Sequence, residues 1–581
     1  MTKSYDSPFE IPEPTARGRE ALQAFAEAQR TNAYDADDHL RRLIRHYADS
    51  ERVDELEASL REFGEVVMGR LDELARENNA PGNLPRLDRW SDYGTRKEEI
   101  EHHPTYHEAG RLMYGSGVMA AYEDHPNSMG ALSRFYLSGL NGEAGHNCPI
   151  ACTAGVIRVL QELADDDLKE RFLPGFLNPE YEEHLEGAQF LTELQGGSDV
   201  GANGTRAERA DDGTWRISGE KWFCSNIDAD VFLMTARVQE LDEEGTRGLG
   251  LFLVPRKLEN GEVNGFYIRR LKDKLGTRSM ASGECDFAGA VGYHMGEVGR
   301  GFKHMMELVI NTSRLYNAVG CCAMMRRSFV TARAYAEYRE AFGQPIGNYP
   351  LVQETLANLR AETEVTLSGT MHLVAMQDRL DAGEVTEREE AFFRMALNLN
   401  KARTAKSARW ACVEGIEILG GNGAIETFSV LPRLLRDAIV YENWEGTHNT
   451  LYMQVWRDMK RYAIHEGYFA YLSSLLEEAQ GTAEADRASE LNEVIAALQE
   501  QTLQVLERPM ASASLAMRRF VDDLVYAYYA AARIWERATG DAAEEDDAEL
   551  VLEHFMDRHL RAEGPDVGDA AYLERISRLA Q

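Results

Sequence analysis

The sequence predicts an α+β protein, mostly α-helical. A helical N-terminal domain, a small antiparallel β-domain and a helical C-terminal domain follow one another, and a further helical region ends the chain. Three observations predict this. Up to about residue 185, apolar residues recur at three- and four-residue spacing, as in REALQAFAEAQR and TAGVIRVLQELADDDLKERFLPGF. From about 186 to 297 the texture turns to short alternating or β-branched runs (TWRISG, DVFLMTARV, LGLFLVP, ECDFAGAVGY), separated by turn signals such as Asp212-Gly213 and Asn260-Gly261. After Gly301 the helical period returns and persists to the end.

The expected divisions are 1–185, 186–297, 298–465 and 466–581. Blocks of helix, strand and helix make an α+β arrangement and not alternating βαβ units. No GxGxxG follows a strand, so a Rossmann dinucleotide site is not indicated. The last region repeats apolar residues at helical spacing (YFAYLSSLLEEA, LNEVIAALQEQTLQVL, FVDDLVYAYYAAARIWERA) and predicts a bundle, with GTAEADRA and GDAAEEDDAE as its loops.

The chain of 581 residues is 44% hydrophobic and 28% charged, an ordinary globular composition. Its formal charge of −34 argues against a nucleic-acid partner, since phosphate affinity rests on clustered Lys and Arg. From Glu466 to Gln581 there is no lysine. No apolar run is long enough to span a bilayer, and MTKSYDSPFEIPEP has no apolar signal region. Seven cysteines without a CxxC pair indicate neither a disulfide framework nor a metal site, and fit a reducing cytoplasm.

Five segments carry candidate chemistry. In Leu191-Thr192-Glu193-Leu194-Gln195-Gly196-Gly197-Ser198-Asp199, paired glycines and hydroxyls let backbone N–H groups approach an anion, although GGSD is also a common turn. Lys221-Trp222-Phe223-Cys224-Ser225-Asn226 places aromatic and hydroxyl groups at a strand end. Arg339-Glu340-Ala341-Phe342-Gly343-Gln344-Pro345, followed by Gln353, reads as a helix terminus, a loop and a new helix. Leu419-Gly420-Gly421-Asn422-Gly423 marks a helix C-cap that could equally admit a ligand against bare backbone. Trp444-Glu445-Gly446-Thr447-His448-Asn449 sets a carboxylate in an apolar approach, where desolvation makes it a better base, with Thr447 as N-cap of the next helix.

The order and spacing of all five resemble the acyl-CoA dehydrogenase superfamily, over roughly residues 100 to 465. LTELQGGSD is similar to that family's T-E-x-x-x-G-S-D flavin motif, and WEGT to its catalytic E-G-T. WEGTHN, KWFxS and the lengthened termini look closest to the AidB-like branch.

The resemblance implies FAD as cofactor and a fatty acyl-CoA thioester as substrate. Glu445 would remove the α-proton while the β-hydrogen passes to the flavin. It implies isoalloxazine contacts at Leu191, Thr192, Phe223 and Ser225, and pyrophosphate contacts at Gly197 and Ser198. Contacts to the adenosine half fall to Thr447 and Asn449, and substrate-side positions to Arg314 and Gly446. Arg339, Phe342, Gln353, Gly420 and Gly421 would reach the FAD of a neighbouring subunit, which implies a homotetramer; Glu417 departs from a usual glutamine. An electron-transfer flavoprotein is the implied acceptor. An AidB-like protective, regulatory or fatty-acyl-binding role is the alternative, and the acidic C-terminal region argues against nucleic-acid binding.

Overall fold

Three long helices form the centre of the molecule: Asn311–Tyr338, Pro350–Asp381 and Glu387–Leu419. Proline occupies the first position of the second, where its missing N–H costs nothing. The third opens with a reciprocal capping box between Thr386 and Glu389 and ends at Gly420, whose φ of +58° suits glycine. All three are buried on most sides, because other helices pack around them. The computed structural model describes residues 10–540 and 547–581. The N-terminal MTKSYDSPF and most of the acidic GDAAEEDDAE loop lie outside the described residues.

Between the helical regions, seven strands form one sheet. The path runs through Gly187–Phe190, Val231–Val238, Arg206–Arg209, Trp215–Ser225, Ser282–Met295 and Leu249–Pro255, with Phe266–Leu271 paired to Ser282–Met295. Val231–Val238 also pairs with Leu249–Pro255, so the path closes on itself as a small barrel. Most pairings are antiparallel, as the short alternating runs suggest. Gly187–Phe190 and Arg206–Arg209 nevertheless flank Val231–Val238 in parallel, because each reaches it through a long connection and not a hairpin. Phe190, Trp215, Phe232, Phe252 and Phe266 fill the barrel.

One element was absent from the helical reading of the N-terminal region. Arg86–Trp90 and Arg96–Glu101 form a hairpin that turns through Gly94 at φ +76°. Its strands, RLDRW and RKEEIE, are highly charged and give no period-two apolar signal. Their carboxylates and cations are spent on docking to the barrel. Buried Glu98 accepts from Ile268 N at 3.1 Å, and the Arg96 guanidinium lies 4.1 Å from the Tyr267 ring centroid.

The C-terminal region is helical as its spacing predicts, in helices Ile464–Glu478, Ala485–Glu507, Met510–Thr539, Ala548–His559 and Ala570–Leu579. Its apolar stripes are covered in the same chain, along Pro350–Asp381 and Glu387–Leu419. Polar groups at this seam are paired. The imidazole of His372 meets Tyr528 and Tyr471 hydroxyls, each at 3.0 Å, and the Tyr529 hydroxyl donates to Asn400 at 2.6 Å. Buried Glu362 is held by His559 at 2.8 Å, by the Ser407 hydroxyl at 2.5 Å and by Arg403 at 3.3 Å. Burial alone would favour the neutral carboxyl; these donors outweigh it and hold the Glu362 pKa far below the ordinary range.

Removing one member of such a buried ionic group leaves an uncompensated charge, at a cost of about 3–5 kcal/mol. Arg403→Ala should therefore lower the urea-unfolding free energy by about that much. A change confined to a few tenths of a kcal/mol would show that the seam does not depend on this group.

Candidate active site

A tight turn, Trp444 to Gly446, joins helix Leu431–Asn443 to helix His448–Tyr462. Within it Glu445 adopts φ +55° and Gly446 φ +100°. The first is unusual for a residue with a Cβ and persists only where surroundings enforce it. Two buried cations supply the enforcement. Arg314, near the start of Asn311–Tyr338, donates through Nε to the Glu445 carbonyl at 3.1 Å. Its remaining nitrogens reach Asn398 Oδ1 at 2.6 Å and Gln454 Oε1 at 3.2 Å. Lys401, from Glu387–Leu419, donates to the carbonyls of Gly446 at 2.9 Å and Glu442 at 3.3 Å. Burial draws the Lys401 pKa down to about 8 and that of Arg314 to about 10.

The Glu445 side chain lines a cavity with about 320 Å³ of space free of protein atoms, part of it open to solvent. Phe135, Cys148, Cys152, Tyr316, Tyr441 and Trp444 give it a mainly apolar wall. Burial there raises the Glu445 pKa above the ordinary glutamate value, opposed by the charges of Arg314 and Lys401 and by a hydrogen bond from Gln189. That bond runs from Gln189 Nε2 to Glu445 Oε1 at 3.0 Å. The result is a desolvated carboxylate at the end of an apolar chamber, an arrangement suited to accepting a proton from a carbon acid.

Beside the turn, the barrel edge presents the first two motifs together. The Trp222 amide donates to the Thr192 carbonyl at 2.9 Å, and Asn203 Nδ2 to the Leu191 carbonyl at 2.6 Å. The loop behind them is anchored by Glu193. This buried carboxylate pairs with fully buried Lys221 at 2.9 Å and accepts from the amides of Gly204 and Thr205. The motif's glutamate is thus a loop anchor, and the hydroxyl of Thr192 stays half-buried at the edge. Ser225 is half-buried on the same strand, while Phe223 remains 53% exposed. The Lys272 ammonium stands 4.7 Å from the Phe223 ring centroid and 3.6 Å from that of Trp222.

The Ser198 and Thr447 hydroxyls meet at Thr450, at 3.4 and 3.0 Å. Thr447 occupies the N-cap position, but its hydroxyl pairs with Thr450 and makes no side-chain cap bond. Asn449 accepts from Arg518 of the C-terminal region at 3.3 Å. Exposed Gly197 lies in the same loop, and Gly196, at φ +128°, has nothing near the position of a Cβ.

A third group lies elsewhere. Arg339 and Phe342 follow the last residue of Asn311–Tyr338, and Asn422 ties the Gly420-Gly421 turn to Tyr335 at 3.0 Å. Phe342 is 98% exposed, and Arg339, Gly420 and Gly421 are exposed too. Arg314 sits at the other end of that helix. At 1.5 Å per residue, the two ends are roughly 35 Å apart. Gln353 is half-buried, and its amide bonds Ser577 Oγ of the C-terminal helix at 3.4 Å.

Sequence reasoning passed over Gln189, Ser313 and Lys401. Gln189 lies two residues before the recognised motif, and the other two sit inside long helices whose period says nothing about a polar side chain turned inward.

Three family models match the chain: the acyl-CoA dehydrogenase C-terminal domain over 299–460, the acyl-CoA dehydrogenase middle domain over 188–290, and the adaptive response protein AidB N-terminal domain over 24–183. Acyl-CoA dehydrogenase family member 11 of Caenorhabditis elegans is 33% identical over 443 residues, covering 73% of this chain and 70% of its own. AidB of Escherichia coli strain K12 is 32% identical over 427 residues, covering 71% of this chain and 76% of its own. Among solved structures, Caenorhabditis elegans ACDH-11 in complex with C11-CoA superposes with a TM-score of 0.84 at 27% identity, over 92% of each chain. A Bacillus anthracis acyl-CoA dehydrogenase complexed with FAD shares the fold at a TM-score of 0.69 and 17% identity, over 93% of this chain and 94% of its own. From its sequence and its fold, this chain belongs to the acyl-CoA dehydrogenase family.

Proposed function

We propose that the protein is a FAD-dependent acyl-CoA dehydrogenase that introduces an α,β double bond into a fatty acyl-CoA thioester, with Glu445 as the base. The observation that carries this reading is the Glu445 carboxylate, desolvated in an apolar cavity on a turn whose carbonyls are held by Arg314 and Lys401. The donor set at the barrel edge fits the flavin dinucleotide. Phe223 offers an exposed aromatic face, Thr192 and Ser225 offer hydroxyls, and the Gly196-Gly197-Ser198 loop leaves space for phosphate oxygens beside Thr447 and Asn449. When bound, the flavin accepts the β-hydrogen as hydride.

The protein's own part is to place a carboxylate against the α-carbon, exclude water and hold the base ionised. Arg314 and Lys401 serve the first and third tasks indirectly. Their hydrogen bonds end on protein acceptors, so we assign them to the turn, with Gly446 bounding the substrate side. The distance between Glu445 and the Arg339, Phe342, Gly420, Gly421 group supports a homo-oligomer in which this exposed group, with Gln353, meets the FAD of a neighbouring subunit.

The alternative is an AidB-like protein that holds a fatty acyl thioester without rapid turnover. The structural likeness to ACDH-11, whose structure contains C11-CoA, keeps this reading in view. Anaerobic mixing with a panel of acyl-CoAs separates the two. Loss of the oxidised flavin spectrum supports the dehydrogenase, whereas tight binding with an unchanged flavin supports the acyl holder. Electron-transfer flavoprotein is the acceptor we propose for the reduced form.

Glu445→Gln should keep FAD and slow flavin reduction by about 10²–10⁴-fold, since the amide keeps the shape but takes no proton. Near-normal reduction would move the base elsewhere. In the unmodified protein the reduction rate should fall as pH drops through the raised pKa of Glu445, at a pH above the ordinary glutamate range. Arg339→Ala should weaken FAD retention and oligomerisation together, by roughly 1.5–3 kcal/mol for a charge-assisted contact. Unchanged elution and FAD titration would remove the inter-subunit assignment.

A further inference from the structure

The strand that leads into the flavin motif has one residue turned the wrong way for a barrel core. Ala188 and Phe190 are buried among the barrel aromatics, so alternation directs Gln189 to the opposite face, toward the helices and the cavity. The strand is brought there by close packing. A Cβ on Gly187 would meet Val156 Cγ2 at 2.6 Å, and the Gly187 amide donates to Thr153 Oγ1 at 2.9 Å, both on helix Ala144–Leu163. Gln189 therefore enters the cavity from a backbone clamped on one side by a helix and on the other by Val231–Val238.

The groups around the Glu445 carboxyl divide by what they touch. Arg314 and Lys401 bring positive charge, but their hydrogen bonds go to backbone carbonyls and amide oxygens. Cys148, Cys152, Tyr316, Tyr441 and Trp444 line the same cavity; the neighbouring Cys148 thiol, with burial, keeps the Cys152 thiol protonated, and burial does so for the two phenols. Among the described residues, the hydrogen bond to the carboxylate itself comes from Gln189. Ser313 backs that amide, its hydroxyl lying 3.1 Å from Gln189 Nε2 and 3.3 Å from Oε1, and the Glu445 carboxylate selects the amide's orientation. The opposite amide orientation would set two acceptor oxygens against each other across 3.0 Å.

From this geometry we infer that Gln189, backed by Ser313, is a positioning residue of this enzyme: its amide N–H holds the Glu445 carboxylate in its ionised form inside an apolar chamber. The inference rests on the reading of Glu445 as the base and deepens it. Two demands on that base conflict. Desolvation strengthens it, but also favours its neutral form, which cannot accept a proton. A neutral amide donor resolves the conflict with a hydrogen bond to the charged form, and forms no ion pair that would keep the carboxylate from the substrate.

Gln189→Met preserves length and bulk and removes the donor. The acid limb of flavin reduction by acyl-CoA should move up by about one to two pH units, with the high-pH plateau within a few-fold of the unmodified protein. Ser313→Ala should move it in the same direction by less. A measurement independent of turnover accompanies this. The pH-difference infrared spectrum of each protein, minus that of its Glu445→Gln counterpart, reports the ionisation of this one carboxyl, and its midpoint should rise in both variants. An unmoved midpoint in Gln189→Met, or a rate lowered equally at every pH, would overturn the inference and leave Gln189 a packing residue. Failure of the base assignment looks different: there Glu445→Gln would be reduced as fast as the unmodified protein.

Discussion

Two cations buried in different helices, Arg314 and Lys401, grip the carbonyls of Glu442, Glu445 and Gly446, and the candidate site depends on that grip. A glutamate at φ +55° is not a conformation a loop adopts unaided. It holds because helices Asn311–Tyr338 and Glu387–Leu419 are packed in a fixed alignment, so that a guanidinium from one and an ammonium from the other arrive at the same turn. The cations in turn stay charged although buried, because backbone and amide oxygens accept from them. Removing them from water would otherwise cost several kcal/mol each.

The same helices explain the place of the C-terminal region. Helix Glu387–Leu419 carries Lys401 toward the turn and Arg403 toward the Glu362 group, two residues apart in sequence. Packing of Ile464–Glu478 and Met510–Thr539 against it therefore bears on the outer side of the element that sets the turn. Arg518 of Met510–Thr539 also reaches Asn449, just beyond that turn. The C-terminal helices are in this sense part of the scaffold of the site, and their acidic composition reflects a solvated outer face over a buried inner one.

Much of this was legible in the sequence, for a physical reason. Glycine-rich turns, caps and strand alternation are local, so LTELQGGSD, LGGNG and WEGT could be read where they stand. What was not legible depends on three-dimensional closure. Gln189 looks like any polar residue on a strand until Ala188 and Phe190 are seen to fill a barrel on the other side. Lys401 looks like a helix-surface cation until it proves buried, and Arg314, placed on the substrate side by the resemblance, shows its bond to the Glu445 carbonyl only in three dimensions. The charged hairpin at Arg86–Trp90 and Arg96–Glu101 lacks an apolar pattern because it docks largely through its own buried Glu98 and through Arg96, with Leu87 and Ile100 packed against the barrel core. Arg339 and Phe342 were read from motif alone, and they stand roughly 35 Å from Arg314, at the other end of the same helix.

The central claim is that Glu445 takes a proton from the carbon next to a thioester carbonyl. Incubating the protein anaerobically with a saturated acyl-CoA in deuterated water, then weighing the recovered thioester, tests that step apart from flavin reduction and from any electron acceptor. The account predicts deuterium at the α-carbon with the unmodified protein and none above background with Glu445→Gln. Equal exchange in the two, or no exchange with a protein that nevertheless reduces its flavin, would contradict it.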